Sequence, residues 1–379
     1  MAVSSEVWQL FVDESGDFAA GDPVVAGGWL VRWPDSPALR AYLRRTLDES
    51  LATAPRPQHA ASCNLLATRV AHYALEARAG RLRGGADGTP LGAALEAMER
   101  SQASAELLGF SAAVTAGRFP EYAALKAASA WLWAREPRLA QRLEDLAHAE
   151  AQTLFASLGQ IPSDEAFLLV AHEDELEDVE AKYQDRYLAL LEVVFERALA
   201  LFREEKASVT IRAHVLTRHV QVPNLPRPLP LRAADVGAAV RRAEAFPLRA
   251  PPNGETDKRV RIVPETPSVW APTMHPGLIV ADWICNRGLH VFKSARHARL
   301  PWDATRARLE ERVSLAPLAR LRAAPSTPLV PSVAVQGAPR VAIAEAFATG
   351  RGPMTAQECP VRWQTDQANA WIANAGGVR

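Results

Sequence analysis

The sequence predicts an α/β protein: a mixed sheet with an antiparallel edge and parallel strands, interrupted by helices. Residues 8–12 and 24–33 are short apolar runs separated by turn residues, which predicts an antiparallel opening hairpin. Residues 166–171 form an uninterrupted apolar run, as in a strand covered on both faces. A helical pattern over 176–202 and a further apolar run at 209–215 follow, so we predict a strand-helix-strand unit with parallel pairing.

Helical patterns separate these strands at 39–52, 65–79, 94–100 and 122–158, the last broken near Pro137. The apolar stretch 107–115 predicts one more strand. We therefore predict one domain over 1–322 with helical insertions at about 37–103 and 117–160. Clustered prolines begin after residue 323 and predict a linker and a C-terminal extension over 323–379, where a protein partner could dock.

Composition excludes several classes of protein. The 379 residues include 43 basic and 43 acidic ones, so no net charge steers the chain toward nucleic acid. Only Cys63, Cys285 and Cys359 occur, scattered and odd in number, which argues against a disulfide framework or a zinc site of paired cysteines. The sequence shows neither a secretion signal nor an apolar run long enough for a membrane, so we expect a cytoplasmic protein without a membrane partner.

Carboxylates follow directly on the first apolar strand. Residues 11–17 read Phe-Val-Asp-Glu-Ser-Gly-Asp, and ligands bind at the carboxyl ends of strands in open α/β sheets. Side chains alternate along a strand, so Asp13 should share a face with Phe11 while Glu14 points the other way. We favour Asp13 over Glu14 as a metal ligand. The tripeptide Asp-Glu-Ser recurs at Asp48–Ser50, within a predicted amphipathic helix. There its acids are explained as part of the solvent-exposed face.

A second acidic cluster follows residues 166–171, beginning His172, Glu173, Asp174. Most such clusters are exposed first turns of helices, so one member at most is expected to be functional. We choose Glu173, with Asp174 as the neighbouring candidate because the register is open. His172 is better explained as a hydrogen-bonded histidine at a strand end.

A third carboxylate, Asp282, lies in an apolar helical pattern that begins at Pro276. A buried aspartate needs a partner, which could be a cation or a base such as Arg287. Asp13, Glu173 and Asp282 together would form an oxygen-ligand site suited to Mg²⁺ or Mn²⁺. Such ions support phosphodiester cleavage, so nucleic acid is the expected partner.

Residues 13–17 followed by the helix 276–283 resemble the family called domain of unknown function 3800, whose fold is similar to ribonuclease H. The resemblance implies a mixed sheet with one antiparallel edge and carboxylates that meet at the ends of the central strands. It also implies a metal-dependent nuclease acting on RNA or DNA, with a role in bacterial or phage defence. Residues 57–60 are similar to a family segment with a histidine or lysine near the site, which makes His59 a candidate for phosphate contact or general acid catalysis.

Two departures from the family pattern keep an alternative open. Members commonly show Gly-Leu-Gln-Leu-Ala-Asp, whereas this chain has Ile279 and Val280 between Leu278 and Ala281, so the glutamine is missing. The family also expects an acid near the end of the fourth strand, and here His172 precedes Glu173. The alternative is a catalytically inactive ribonuclease-H-like module that binds nucleic acid or protein.

Overall fold

The computed structural model describes most of the first 298 residues. Its described ranges are 6–16, 18, 23–32, 36–55, 58–80, 122–158, 166–172, 185–202, 208–220, 229–245, 260–271 and 273–298. The helix predicted at 94–100, the strand predicted at 107–115 and the extension 323–379 lie outside these ranges. The chain divides into two compact units, one formed by Met1–Thr46 and Phe155–Arg379, the other by Leu47–Leu154.

The first unit is built on a five-stranded mixed sheet of β1 (Glu6–Ser15), β2 (Val25–Val31), β3 (Ala166–His172), β4 (Val209–Val215) and β7 (Val260–Pro264). The strands lie in the order β3-β2-β1-β4-β7. β2 runs antiparallel to β1 and β3, whereas β1, β4 and β7 are parallel neighbours. The predicted α/β class, with a mixed sheet and an antiparallel opening hairpin, is confirmed.

The predicted pairing of residues 166–171 with 209–215 is wrong. These strands, β3 and β4, run in the same direction, but β2 and β1 lie between them. The parallel partner of β4 is β1, with Phe11 opposite His214. The apolar runs of the hairpin are buried on both faces, which is typical of central strands. β3 therefore pairs with the outer edge of β2, and β4 pairs with the outer edge of β1.

Helices cover both faces of this sheet. Helices α6 (Arg186–Ala200) and α7 (Ala233–Ala245) pack in one core with Trp8, Leu10 and Val12 of β1. The last described helix, α8 (Gly277–His297), packs against β1 and β2 on the other face. A separate two-stranded ribbon joins β5 (His219–Val220) to β6 (Leu229–Pro230).

Two glycines allow close approaches that position the site. Gly277 opens α8 directly over the Phe11 ring, and a Cβ atom at this position would lie 2.7 Å from Phe11 ring carbons. The indole Nε1 of Trp29 donates to the Gly277 carbonyl over 3.0 Å, which ties the start of α8 to β2. Gly16 has φ 113°, a value that L side chains rarely adopt, and this turns the chain immediately after β1.

The described part of the second unit is helical. Helices α2 (Ala60–Asn64), α3 (Leu66–Arg78) and α4 (Tyr122–Arg135) belong to it, and α1 (Pro37–Ser50) and α5 (Pro137–Leu158) cross its boundaries. The predicted break near Pro137 is confirmed, since α4 ends at Arg135 and α5 begins at Pro137. Arg69 and Glu150 form a buried ion pair within this unit. Within the ranges that the structure describes, no helix has both the length and the apolar composition needed to cross a lipid bilayer.

Candidate functional site

Asp13 and Asp282, which are remote in sequence, lie side by side in the fold. Asp13 is near the carboxyl end of β1, and Asp282 lies in the second turn of α8. Both residues are buried: Asp13 is 4% exposed and Asp282 is 2% exposed. In addition to burial, Asp282 raises the pKa of Asp13 both through its charge and through a side-chain hydrogen bond, which places the two side chains next to each other. The structure thus brings together two of the acids that the sequence singled out.

The ionisation of Asp13 reflects this setting. Burial raises the pKa of Asp13 well above its ordinary value, and the nearby charges of Asp282 and then Glu14 raise it further. A hydrogen bond from the Glu14 backbone opposes this shift. Without a cation the Asp13 carboxyl is therefore protonated over a wider pH range than an exposed aspartate. A bound cation would instead favour the ionised form of both acids.

The Cys285 thiol connects α8 to the sheet next to Asp13 and Asp282. It donates to the backbone carbonyls of Asp13 over 3.4 Å and Gly27 over 3.2 Å, so one side chain contacts both β1 and β2. Burial, followed by the charges of Asp13, Asp282 and Glu14, raises the pKa of Cys285 well above its ordinary value. Because the thiolate is disfavoured, Cys285 is suited to anchoring the helix rather than to nucleophilic chemistry.

An aromatic cluster lies on the Asp13 face of β1. The Phe11 ring contacts His275 at 4.5 Å, His214 at 4.9 Å and Trp29 at 5.4 Å between centroids. His214 Nε2 pairs with Gln9 Oε1 at 2.8 Å, and His275 Nδ1 accepts from the Gly277 amide at 3.1 Å. Both histidines are thus engaged in packing and hydrogen bonding next to the acid pair.

Glu14 points to the opposite face of β1, as side-chain alternation requires. Its carboxylate pairs with Arg218, whose guanidinium carbon lies 4.2 Å from the Phe18 ring centroid and 5.1 Å from that of Tyr187. Burial raises the pKa of Glu14 to about 7 although Arg218 lowers it, and the charges of Asp185 and Asp282 raise it further. Glu14 therefore shares the electrostatic environment of the site without sharing the face of Asp13.

Sequence reasoning missed Arg218 and Tyr187. Arg218 follows the end of β4, and Tyr187 is the second residue of α6 after the cap Asp185, whose Oδ1 accepts from the Leu188 amide over 3.1 Å. The available signals were polar residues directly after an apolar strand and a capping aspartate before a helix. The acid expected near the end of the fourth predicted strand, Glu173, follows β3 and lies outside the described residues.

The remaining predicted site residues lie outside the described ranges or in the other compact unit. Glu173 and Asp174 lie outside the described residues. The strand before them, β3, runs parallel to β1, and His172 is opposite Val25, which is opposite Ser15, so β3 ends at the same edge of the sheet as β1. His59 belongs to the other compact unit, where its Nδ1 accepts from the Ala61 amide over 3.2 Å at the start of α2. Its role in catalysis stays a prediction.

No family model, curated protein or solved structure matches this chain. The chemistry of the site must therefore be argued from its own residues. Two buried carboxyl groups offer the hard oxygen donors that Mg²⁺ and Mn²⁺ prefer. Among the residues that the structure describes, no group of three or more His, Cys, Asp or Glu side chains could hold a metal ion. Asp13 and Asp282 thus fit part of a divalent-cation site, and any third carboxylate would come from outside the described ranges.

Proposed function

We propose that this chain is a divalent-metal-dependent nuclease with a ribonuclease-H-like fold, hydrolysing phosphodiester bonds in RNA or DNA. The sheet supports this proposal because it combines an antiparallel edge with parallel strands, the arrangement that the family resemblance implies. The position of Asp13 near the carboxyl end of the central strand also supports it, since this is where open α/β sheets bind ligands.

The observation that carries the proposal is the contact between Asp13 and Asp282. Two buried acids that repel one another are unfavourable when ionised unless a cation or a proton lies between them. A divalent cation would remove the repulsion and use both carboxylates as ligands. Glu173 or Asp174 are the candidates for further ligands, whereas Glu14, the other predicted ligand, points to the opposite face of β1 and pairs with Arg218.

The residues of the chain have separable roles in this scheme. A bound Mg²⁺ or Mn²⁺ would activate water and stabilise the developing charge on the phosphate. Asp13 and Asp282 would hold the cation, while the Cys285 hydrogen bonds fix α8 against β1, which carries Asp13, and against β2. The Phe11 ring packs against His214 and His275, so these histidines take part in packing next to the strand that carries Asp13.

The test compares Asp13→Asn and Asp282→Asn with wild type. We expect wild type to bind Mn²⁺ in calorimetry and to cleave labelled RNA or DNA with Mg²⁺ or Mn²⁺ but not with EDTA. Each substitution removes a ligand charge, so the cleavage rate should fall by about 100-fold or more. Asp48→Asn is the matched control, because Asp48 begins the same Asp-Glu-Ser tripeptide on α1.

Cleavage that survives Asp13→Asn would contradict the nuclease proposal. The alternative, an inactive ribonuclease-H-like module that binds nucleic acid or protein, is favoured by the convergence of only two predicted acids within the described residues. It predicts binding of nucleic acid without metal-dependent cleavage, and binding that Asp13→Asn leaves intact.

A further inference from the structure

The strands β4 and β7 present charged side chains to solvent on one face of the sheet. Arg212 of β4 and Arg261 and Val263 of β7 are exposed, with 48% exposure for the Arg212 side chain and 37% for Val263. The residues that alternate with them, such as Ile211, lie in the core on the other face. Helix α8 packs on the neighbouring strands β1 and β2. We call Arg212, Arg261, Val263 and the adjoining Glu265 the β4–β7 face.

Contacts between the strands show that the β4–β7 face lies on the same side of the sheet as the acid pair. The Phe11 ring, which shares this side with the acid of β1, stacks on His214 of β4 at 4.9 Å. Arg212 precedes His214 by two residues and therefore points to the same side. Arg261 Nε donates to Thr210 Oγ1 over 3.2 Å, which places Arg261 there as well.

The charges of this face suit an anion. Arg212 Nη1 lies 3.8 Å from Glu265 Oε1, and both side chains are more than a third exposed, so this pair is weak and another anion can replace the carboxylate. The Thr210 hydroxyl is neutral and does not offset the charge of Arg261. Guanidinium groups match the geometry of phosphate oxygens, and exposed ones can be reached by a macromolecule.

The spacing from the acid pair fits several phosphates of one chain. Arg212 is opposite Gln9 in the parallel pairing of β4 with β1, and Gln9 precedes Asp13 by four residues. At about 3.3 Å per residue, Arg212 thus lies roughly 13 Å from Asp13 along the strands. Phosphates of one strand of a duplex recur about every 3.4 Å of helix axis, so this distance spans about four nucleotides.

We propose that the β4–β7 face binds the phosphodiester backbone of a nucleic acid through Arg212 and Arg261. The phosphates that it contacts are about four nucleotides away from the one at Asp13 and Asp282. This inference rests on the proposed function, which supplies the identity of the ligand. It adds a substrate-binding surface that acts on affinity and not on the chemical step.

The experiment measures binding of the full-length protein carrying both Arg212→Gln and Arg261→Gln to labelled RNA and DNA of about 12 nucleotides, long enough for both contacts. EDTA is present, so binding is measured apart from cleavage. The dissociation constant should rise about 10-fold or more, and the slope of its logarithm against log salt should fall by about 1.4 for single strands. In cleavage assays with Mg²⁺, KM should rise while kcat stays unchanged.

Two further variants separate this site from general effects of charge or misfolding. Arg232→Gln is the matched control, because Arg232 is an exposed arginine paired with Asp235 at 2.9 Å before α7, a helix on the opposite face of the sheet. It should bind like wild type. Glu265→Gln removes the acid beside Arg212 and should tighten binding by about 2–5-fold, a gain that a misfolded protein cannot give.

Unchanged oligonucleotide affinity in the double variant would overturn this inference. An equal loss in Arg232→Gln would also overturn it, because the attraction would then be spread over the whole surface. A wild-type dimer that the double variant dissociates, with oligonucleotide binding intact, would assign the face to a second copy of the chain instead. If wild type binds through this face without cleaving, the nuclease proposal fails and this inference stands. If wild type cleaves and the double variant keeps its KM, this inference fails and the nuclease proposal stands.

Discussion

Single residues at the end of β1 carry unusual protonation equilibria. Asp13 and Glu14 are adjacent in sequence and point to opposite faces, yet burial raises the pKa of both. Arg218 limits the shift at Glu14, whereas Asp282 enlarges the shift at Asp13. The same strand end therefore presents a carboxyl group with a cationic neighbour on one face and one with an anionic neighbour on the other. This asymmetry is why Asp13, rather than Glu14, is the better candidate for cation binding.

The raised pKa of Glu14 predicts that the metal-free protein loses stability as the pH rises. Folding moves this pKa from 4.5 to about 7. Below pH 4.5 the Glu14 carboxyl is protonated in both the folded and the unfolded protein, and its full contribution to stability is present. As the pH rises, the unfolded protein releases this proton first, so stability falls until the folded protein also releases it near pH 7 and the contribution is lost. The Glu14 side chain keeps 23% exposure, so solvent screening reduces the loss to the order of 2 kcal/mol.

The measurement is the free energy of unfolding in EDTA across this pH range, for wild type and Glu14→Gln. The variant lacks the titrating group, so its stability should decline less than that of wild type over the same interval. Parallel profiles for the two proteins would show that Glu14 does not titrate in this way.

At the scale of secondary-structure elements, the start of α8 is fixed by close packing on β1. A Cβ atom at Gly277 would lie 2.7–2.8 Å from three atoms of the Phe11 ring. That ring is itself held by His214, His275 and Trp29, so it has little freedom to move away. The close packing of α8 on β1 requires that residue 277 has no side chain. The position of Asp282 relative to Asp13 depends on this packing.

Two glycine substitutions should therefore change stability in opposite directions. Gly277→Ala should destabilise the protein by about 1–3 kcal/mol, because the Phe11 ring or α8 must shift. Gly237→Ala, in the middle of α7, should stabilise it by about 0.4–1 kcal/mol, since the nearest atom to the new Cβ is the end of the Arg241 side chain at 3.5 Å. Urea denaturation of both variants measures the difference. A Gly277→Ala protein as stable as wild type would show that the packing of α8 on Phe11 does not require glycine at this position.

For the molecule as a whole, the sheet order decides which residues meet. The hairpin of β1 and β2 and the helix after Pro276 could be predicted because turn residues and apolar runs are local signals. Burial of Asp282 also followed from its apolar neighbours in sequence. The placement of β4 beside β1 could not be read locally, because it is set by the pairing of strands remote in sequence. Arg218 and Tyr187 were missed for this reason, and β3 was given the wrong neighbour.

The sheet order also predicts how firmly each strand is held. β1 is hydrogen-bonded on both sides and buried along most of its length, whereas β7 is the last strand in the described order and exposes Arg261 and Val263. Strands that are paired on both sides open only with the global unfolding of a domain. We expect backbone amides of β1 to exchange with solvent deuterium at least about tenfold more slowly than those of β7, by mass spectrometry or NMR. Equal rates in the two strands would contradict this order of stability.

The location of the two acids has a consequence for protein synthesis. Asp13 leaves the ribosome early, but it meets Asp282 only after nearly all of the described chain, up to α8, has emerged. Since domains form during translation from the N-terminal end, the nascent hairpin carries Asp13 in water, without its acidic neighbour. Until α8 docks, a translating chain lacks the paired acids, so an activity that needs both of them, as the proposed function does, would start only after α8 has been synthesised.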